Sequence, residues 1–298
     1  MKFTVVPLEN LTSSEIELYQ ALSLPSAHPL LTEKQSHFAI EARLDDRLVG
    51  LMLVALQGYR AQVQSIMVLE PFRKQGIGTS LFGFFQDFAI QQEQIKTLEI
   101  QYEQSSFSAP IIEKWLSLYQ WGPGTLFLVR CFFDVYRFHP PWFQRPFHTP
   151  PNAEIFNLKN LQPADRMIIR HWEEQGRLIP YLSPYFDEDQ IEPLNSFGMR
   201  YNEQITGWCI THRKDPETIH YFALFMNQDL HLSGLGIALL AHSIRMQQVS
   251  PIRWAVFEAN LKYIEPAWKR FILKRLMPYA DKIERIKSAY KSASRDGQ

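Results

Sequence analysis

The run Val68-Leu69-Glu70-Pro71-Phe72-Arg73-Lys74-Gln75-Gly76-Ile77-Gly78-Thr79 joins a strand end, a polar loop with two cations, and a glycine pair that opens a helical pattern. That combination suits an anion. The first N–H groups of a helix have no internal partner and carry the positive end of its dipole. Glycines let a diphosphate approach those groups with no Cβ in the way, and Arg73 and Lys74 add charge. Two common phosphate sites do not fit. A Rossmann turn wants a third glycine where Leu81 stands, and it follows its strand directly, whereas residues 69–75 intervene here; Glu99 lies near the distance of a ribose partner but cannot replace either feature. A Walker loop fails because no Gly-Lys-Ser/Thr follows the glycines.

The elements that must position this loop follow from hydrophobic periodicity. In the first half the pattern gives a strand at 3–8, a helix at 14–24 capped by Ser13 or Ser14, a hairpin of strands 38–44 and 48–56, and a third meander strand at 61–68. A helix at 76–92 places Ile77, Leu81, Phe84, Phe85 and Phe88 at helical spacing. A strand at 97–103, a helix at 109–121 and a final strand at 125–136 complete it. The second half repeats the order with strands at 198–201, 205–211 and 219–226, a helix at 234–248, a strand at 252–259 and a helical stretch from 264 onward. The class is α+β, a mixed α/β arrangement with a mostly antiparallel sheet and helices on both faces.

Three landmarks recur at nearly one spacing. Leu8-Glu9-Asn10-Leu11 matches Leu158-Lys159-Asn160-Leu161, Asp46-Arg47-Leu48-Val49-Gly50 matches Glu203-Gln204-Ile205-Thr206-Gly207, and Gly76-Ile77-Gly78 matches Gly234-Leu235-Gly236. The chain reads as a tandem duplication. Its 298 residues suit two domains, and the five prolines within residues 138–152 mark an aromatic-studded connector. The expected division is therefore 1–137, a linker at 138–152, and 153–298.

Composition narrows the function classes. With 31 Lys+Arg against 31 Asp+Glu, the electrostatic attraction behind nonspecific nucleic-acid binding is missing, and nucleic acid is not expected as a partner. Cys131 and Cys209 lie in apolar stretches without metal-ligand spacing, so buried thiols and no metal are expected. No leader-like run opens the sequence and no apolar run can span a bilayer, which points to a cytoplasmic protein without a membrane partner. The acidic run after Ile179 reads as a solvated helix start or as a cover for a cationic amine, and the basic stretch 262–291 as a solvated helical face.

Arg73-x-x-Gly76-x-Gly78, after a three-strand meander and before a helix, resembles the acyl-CoA pyrophosphate loop of the GNAT family of N-acetyltransferases. His231-x-x-Gly234-x-Gly236 resembles it less sharply, with His where the family has Arg or Gln. The resemblance implies two tandem GNAT-like acyl-CoA N-acyltransferase domains, acetyl-CoA or another acyl-CoA as cofactor, and a small-molecule or peptide amine as acceptor. It implies that the pantetheine arm pairs with the edge of Ile66, Met67 and Val68, and that the pyrophosphate lies over Arg73, Lys74, Gln75, Gly76, Ile77, Gly78 and Thr79, with Gly234 and Gly236 as counterparts. It also implies that the Val68 N–H stabilises the oxyanion of a tetrahedral intermediate formed by direct amine attack. Trp115 stands where the family often has a tyrosine, which leaves Tyr119 or Tyr102 as acid and Glu103, Glu41 or water as base. The resemblance equally admits a non-catalytic CoA-binding sensor or interaction scaffold.

Overall fold

The computed structural model describes residues 1–33, 37–147, 149–227, 234–262, 264 and 266–293. β1 (Lys2–Pro7) leads into α1 (Ser13–Ala21), which starts one residue earlier than expected. Thr12 is the cap: its hydroxyl accepts the Glu15 N–H while the Glu15 carboxylate accepts the Thr12 N–H at 2.8 Å. β2 (Phe38–Leu44) and β3 (Arg47–Gln57) form the expected hairpin. Its turn places Asp45 and Asp46 at φ 48° and 63°, the left-handed pair that matches strand twist. β4 (Arg60–Val68), α2 (Ile77–Ile90), β5 (Thr97–Glu103), α3 (Ala109–Leu118) and β6 (Thr125–Asp134) follow.

The second half begins with α4 (Pro141–Gln144), β7 (Ala153–Asn157) and α5 (Pro163–Glu174), then β8 (Phe197–Tyr201), β9 (Gln204–Asp215) and β10 (Thr218–Met226). α6 (Leu235–Gln248), β11 (Trp254–Asn260), α7 (Pro266–Phe271) and β12 (Lys282–Ser292) complete it. The hairpin turn repeats, with Asn202 and Glu203 at φ 49° and 63°. Both halves therefore have the expected mixed sheet with helices, and no described helix is long and apolar enough to cross a membrane. Cys131 and Cys209 are buried and unoxidised, and burial pushes the Cys209 thiol up to about 12.

Two expectations are corrected. The compact units are Met1–Phe127 with Arg285–Gln298, and Leu128–Glu284, so the boundary expected at 138–152 lies inside the second unit. There Trp142 and Phe143 of α4 are buried with Phe138, and the Trp142 indole donates to the Arg275 carbonyl at 2.7 Å. The reason is strand exchange. The first unit's sheet runs β1-β2-β3-β4-β5-β12, its last strand coming from the end of the chain, and the second runs β6-β11-β10-β9-β8-β7, taking residues 128–134 of β6. The helix expected from 264 onward is the second correction: Pro278 ends it, and residues 286–292 pair antiparallel with β5 instead. Two lysines of that basic stretch are held inside the first unit, Lys287 on Glu113 at 2.8 Å and Lys291 on the Tyr119 carbonyl at 2.6 Å.

Cores lie on both faces of each sheet. In the first unit α2 and α3 pack Leu81, Phe82, Phe85 and Trp115 against Ile40, Met52, Val63 and Ala289 on one face. Tyr19, Leu30 and Leu31 cover Leu51 and Leu53 on the other. Ala289 is fully buried, so losing β12 both opens the β5 edge and exposes apolar surface. A chain ending at Asp281 should therefore lose the near-UV circular dichroism of the first unit although Met1–Phe127 is intact; an unchanged spectrum and melting curve would refute the exchange.

Candidate active site

The site is built around an irregularity in β4. Leu53 pairs with Ser65 and Val54 with Val63, so Gln64 is a bulge residue opposite no partner. A bulge bends its strand and increases local twist. On the other side of β4, parallel pairing with β5 covers only Arg60↔Thr97 to Val63↔Ile100, and it stops where the bulge begins. Beyond it β4 continues to Val68 with β3 alone.

Ladder phase fixes which groups face the opening. The Leu69 N–H donates to the Val49 carbonyl at 2.9 Å, so Val68 and Gly50 form a non-hydrogen-bonded pair. The N–H groups of Val68 and Ile66 therefore point away from β3, toward the vacated edge. Met67, expected on that edge, instead turns its backbone to Leu51 of β3. The carbonyl of Val68 accepts the Arg73 Nε at 2.9 Å, which folds the loop back over the strand end.

The loop then delivers α2. Lys74 and Gly76 have φ of 60° and 82°, and Gly76 caps the helix without any side-chain hydrogen bond. The first intrahelical bond runs from the Ser80 N–H to the Gly76 carbonyl at 2.9 Å. The N–H groups of Ile77, Gly78 and Thr79 thus have no helical acceptor and open on the loop side. Arg73, Lys74 and Gln75 surround them at the surface, while Ile77 is buried and anchors the turn. A Cβ on Gly78 would stand 3.1 Å from Trp115 Cζ2, so glycine is what lets α3 close on the helix start.

Trp115 Nε1 donates to the Thr79 hydroxyl at 2.9 Å, and the Tyr119 hydroxyl donates to the Thr79 carbonyl at 2.8 Å. Both side chains position the first turn of α2. Burial, with a smaller contribution from Asp87, raises the Tyr119 phenol above its ordinary value. Tyr102 donates to Glu113 at 2.6 Å and is likewise raised, by burial first and then by that carboxylate. Glu103 accepts the Ser105 N–H at 3.0 Å and caps the turn after β5. Glu41 binds Arg43 and the Tyr19 hydroxyl on β2, with β3 between it and β4. The Ser65 hydroxyl accepts the Leu24 N–H at 3.0 Å. The structure thus gathers Ile66, Val68 and the residues from Arg73 to Thr79 at one place, and gives the hydroxyls and carboxylates expected as acid or base other partners.

The second unit repeats this geometry. Phe222 is the bulge, because Tyr221 pairs with Thr211 and Ala223 with Ile210, and parallel pairing with β11 ends at Tyr221↔Phe257. The Asn227 N–H donates to the Thr206 carbonyl at 2.7 Å, which turns the N–H groups of Met226 and Leu224 to the open edge. Gly234 caps α6 at φ 94°, and a Cβ on Gly236 would lie 3.0 Å from Trp268 Cζ2. Trp268 is thus the counterpart of Trp115, one position beyond the expected Ala267. His231 and Tyr263 lie outside the described residues.

A cleft of about 640 Å³ occupies the second unit's strand gap, lined among others by Trp172, His220, Phe222, Phe225, Glu258 and Trp268. The first-half pattern alone points elsewhere. Two signals mark it in the sequence: His220 stands 158 residues after Gln62, the offset of the glycine pairs, and it interrupts an apolar strand.

Residues 7–109 match the acetyltransferase (GNAT) family. The matched stretch lies within the first unit. Nearly the whole chain shares its fold with GNAT proteins, one of them a tandem GNAT protein. A tandem GNAT protein from the clavulanic acid biosynthesis pathway is 13% identical at a TM-score of 0.62, with 98% of this chain and 99% of that one covered. A GCN5-related N-acetyltransferase from Sphaerobacter thermophilus is 15% identical at 0.59, covering 98% and 96%. A glucosamine N-acetyltransferase region of a fungal multi-domain β-N-acetylglucosaminidase is 11% identical at 0.63, covering 97% of this chain and 38% of that one. No curated protein sequence matches the chain significantly.

In the first unit, Gly76 combines φ 82° with open space, a Cβ there meeting nothing within 4 Å. Gly76→Ala should therefore destabilise by about 1–2 kcal/mol through backbone strain alone, read as a lower urea midpoint with unchanged slope. No shift in the midpoint would show that the loop relaxes freely.

Proposed function

We propose that the chain is an acyl-CoA-dependent N-acyltransferase whose first unit binds the acyl donor at the β4 edge and the α2 N-terminus. One observation carries this reading: the bulge at Gln64 ends β4–β5 pairing and leaves the Val68 N–H pointing into the gap, next to the loop Arg73-x-x-Gly76-x-Gly78. Acyl-CoA is substrate here, and the residues present fit it. The unpaired N–H groups of Ile77, Gly78 and Thr79, with Arg73 and Lys74 beside them, suit a diphosphate. Ile66 offers its free N–H and carbonyl to an amide-bearing arm, as an added strand would use them.

The Val68 N–H would donate to the thioester carbonyl oxygen, where charge develops as the acceptor amine attacks. The amine lone pair forms the C–N bond as the carbonyl π pair moves onto oxygen; collapse of that tetrahedral intermediate breaks the C–S bond, and the nitrogen's proton passes to the departing thiolate. The thiolate leaves without a side-chain acid, since Tyr119 and Tyr102 spend their protons on Thr79 and Glu113. A thiol's ordinary pKa near 8.5 makes that departure accessible at neutral pH. The acceptor class in this reading is a small-molecule or peptide amine.

Arg73→Ala combined with Gly76→Asp places a carboxylate where the diphosphate sits and removes a cation. The acetyl-CoA binding step of the first unit, measured by calorimetry, should weaken at least 100-fold, equivalent to about 2.7 kcal/mol. Binding that the double substitution leaves unchanged would reject the site. Tight binding without thiol release on any amine would favour the sensor reading, which the engaged acid and base candidates support.

A further inference from the structure

The second unit differs from the first in one respect that bears on chemistry. At the position related to Gln62 by the 158-residue offset it carries His220, on β10 two residues before the bulge at Phe222. Tyr221 packs in the core on the α6 face, and His220 projects from the opposite face, where its ring meets Phe222 edge-on at 6.0 Å. It lines the 640 Å³ cleft. Among the described residues, no side-chain hydrogen bond engages its ring nitrogens.

The wall around it is aromatic. Trp172 of α5 stacks on Trp208 at 6.2 Å, Trp208 on Phe225 at 4.6 Å, and Phe222 on His212 at 4.4 Å. Tyr181 and Ile179, from the segment read as a cover for an amine, line the same cleft. Glu258 is the carboxylate in the lining, and it is already ion-paired with Arg130, which also holds Glu284. The cleft, which Arg177, Asn227 and Asn260 also line, therefore has aromatic faces for one amine, apolar walls for its body, and no spare carboxylate for a second charge. Its volume is that of a small-molecule site.

We propose that the second unit's cleft is a separate acyl-acceptor site for an aromatic or otherwise apolar monoamine, with His220 as the catalytic residue that receives the amine's proton. This rests on the acyl-transfer reading but concerns a different unit. A ring nitrogen of His220 takes one proton from the ammonium, and the freed lone pair forms the C–N bond to the carbonyl carbon of an acyl-CoA. The C–S bond breaks with its electron pair on sulfur. The nitrogen then loses its second proton, which the thiolate takes up, and the imidazolium returns its own to solvent. The products are an amide, a CoA thiol and one proton. The Met226 N–H, turned to the open edge, corresponds to that of Val68 and faces the developing oxyanion.

The imidazole is suited to the step. Desolvation holds it below the usual histidine range, partly offset by Glu258 of β11 and reinforced by His212 and Lys214 of β9 and by Arg130 of β6. It is therefore neutral at pH 7, and activity that needs it should be present at neutral pH and lost as pH falls through this lowered value.

The test uses the full-length chain, acetyl-CoA, and 2-phenylethylamine as probe with putrescine as the doubly charged control. The aromatic amine should quench tryptophan fluorescence saturably, and putrescine should not. His220→Gln, which installs the residue found at position 62, should keep 2-phenylethylamine binding within about 3-fold while kcat for thiol release falls at least 100-fold, in line with the loss of a general base. It should also abolish the acidic inflection of the wild-type kcat profile. Absence of saturable quenching, or an unchanged rate or pH profile in His220→Gln, would each overturn the proposal. Acetyl-CoA calorimetry on the wild type separates the two readings: binding present with these outcomes rejects only the second site, and binding absent rejects both.

Discussion

An added residue in the fourth strand of each sheet marks the gap on which the proposed chemistry of both units depends. Gln64 and Phe222 each oppose no partner, and in each unit parallel pairing with the next strand stops at the residue before them. A sheet that stays closed there would spend every N–H on a neighbour. Because it opens, Val68 and Ile66, and Met226 and Leu224, keep donors that a folded protein would otherwise satisfy internally. The helix after each gap starts at a left-handed glycine, so its own unpaired donors lie beside the same opening. Ligand chemistry is therefore written into backbone geometry before any side chain is considered.

Side chains then distinguish the two copies. The first keeps the cationic loop, Arg73 and Lys74, with Gln62 at the related position of β4. The second has an imidazole there and a broad aromatic cleft. Duplication preserved the scaffold to the degree that Trp115 and Trp268 meet their glycines at 3.1 and 3.0 Å to a notional Cβ. The halves also trade strands, β12 closing the first sheet and residues 128–134 of β6 the second. Each unit thus depends on sequence from both halves for a complete ladder.

Much of this is legible in the sequence. Strand lengths, the glycine loop and the repeat are local signals, since alternation, turn residues and left-handed glycines are each dictated within a few positions. The hairpin turns at Asp45-Asp46 and Asn202-Glu203 stand where their polar residues place them. The bulges are invisible there, because Gln64 resembles any strand residue and its role is defined only by register against β3. Strand exchange is equally hidden: nothing near residue 286 shows that its partner is Glu103. Tyr119 and Tyr102 are plausible acids by residue type, and only hydrogen-bond partners show where their protons go. His220 escapes a reading that follows the better-matched loop, because its meaning comes from the position equivalent to Gln62.

The central claim is that the opened β4 edge and the first turn of α2 receive the acyl donor, and residue-resolved amide hydrogen exchange with and without acetyl-CoA tests it most directly. Protection should rise at Ile66 and Val68 and from Ile77 to Thr79, with Met67 unchanged because its amide already serves β3. Binding that leaves Ile66 and Val68 exchanging as fast as in the free protein would contradict the account.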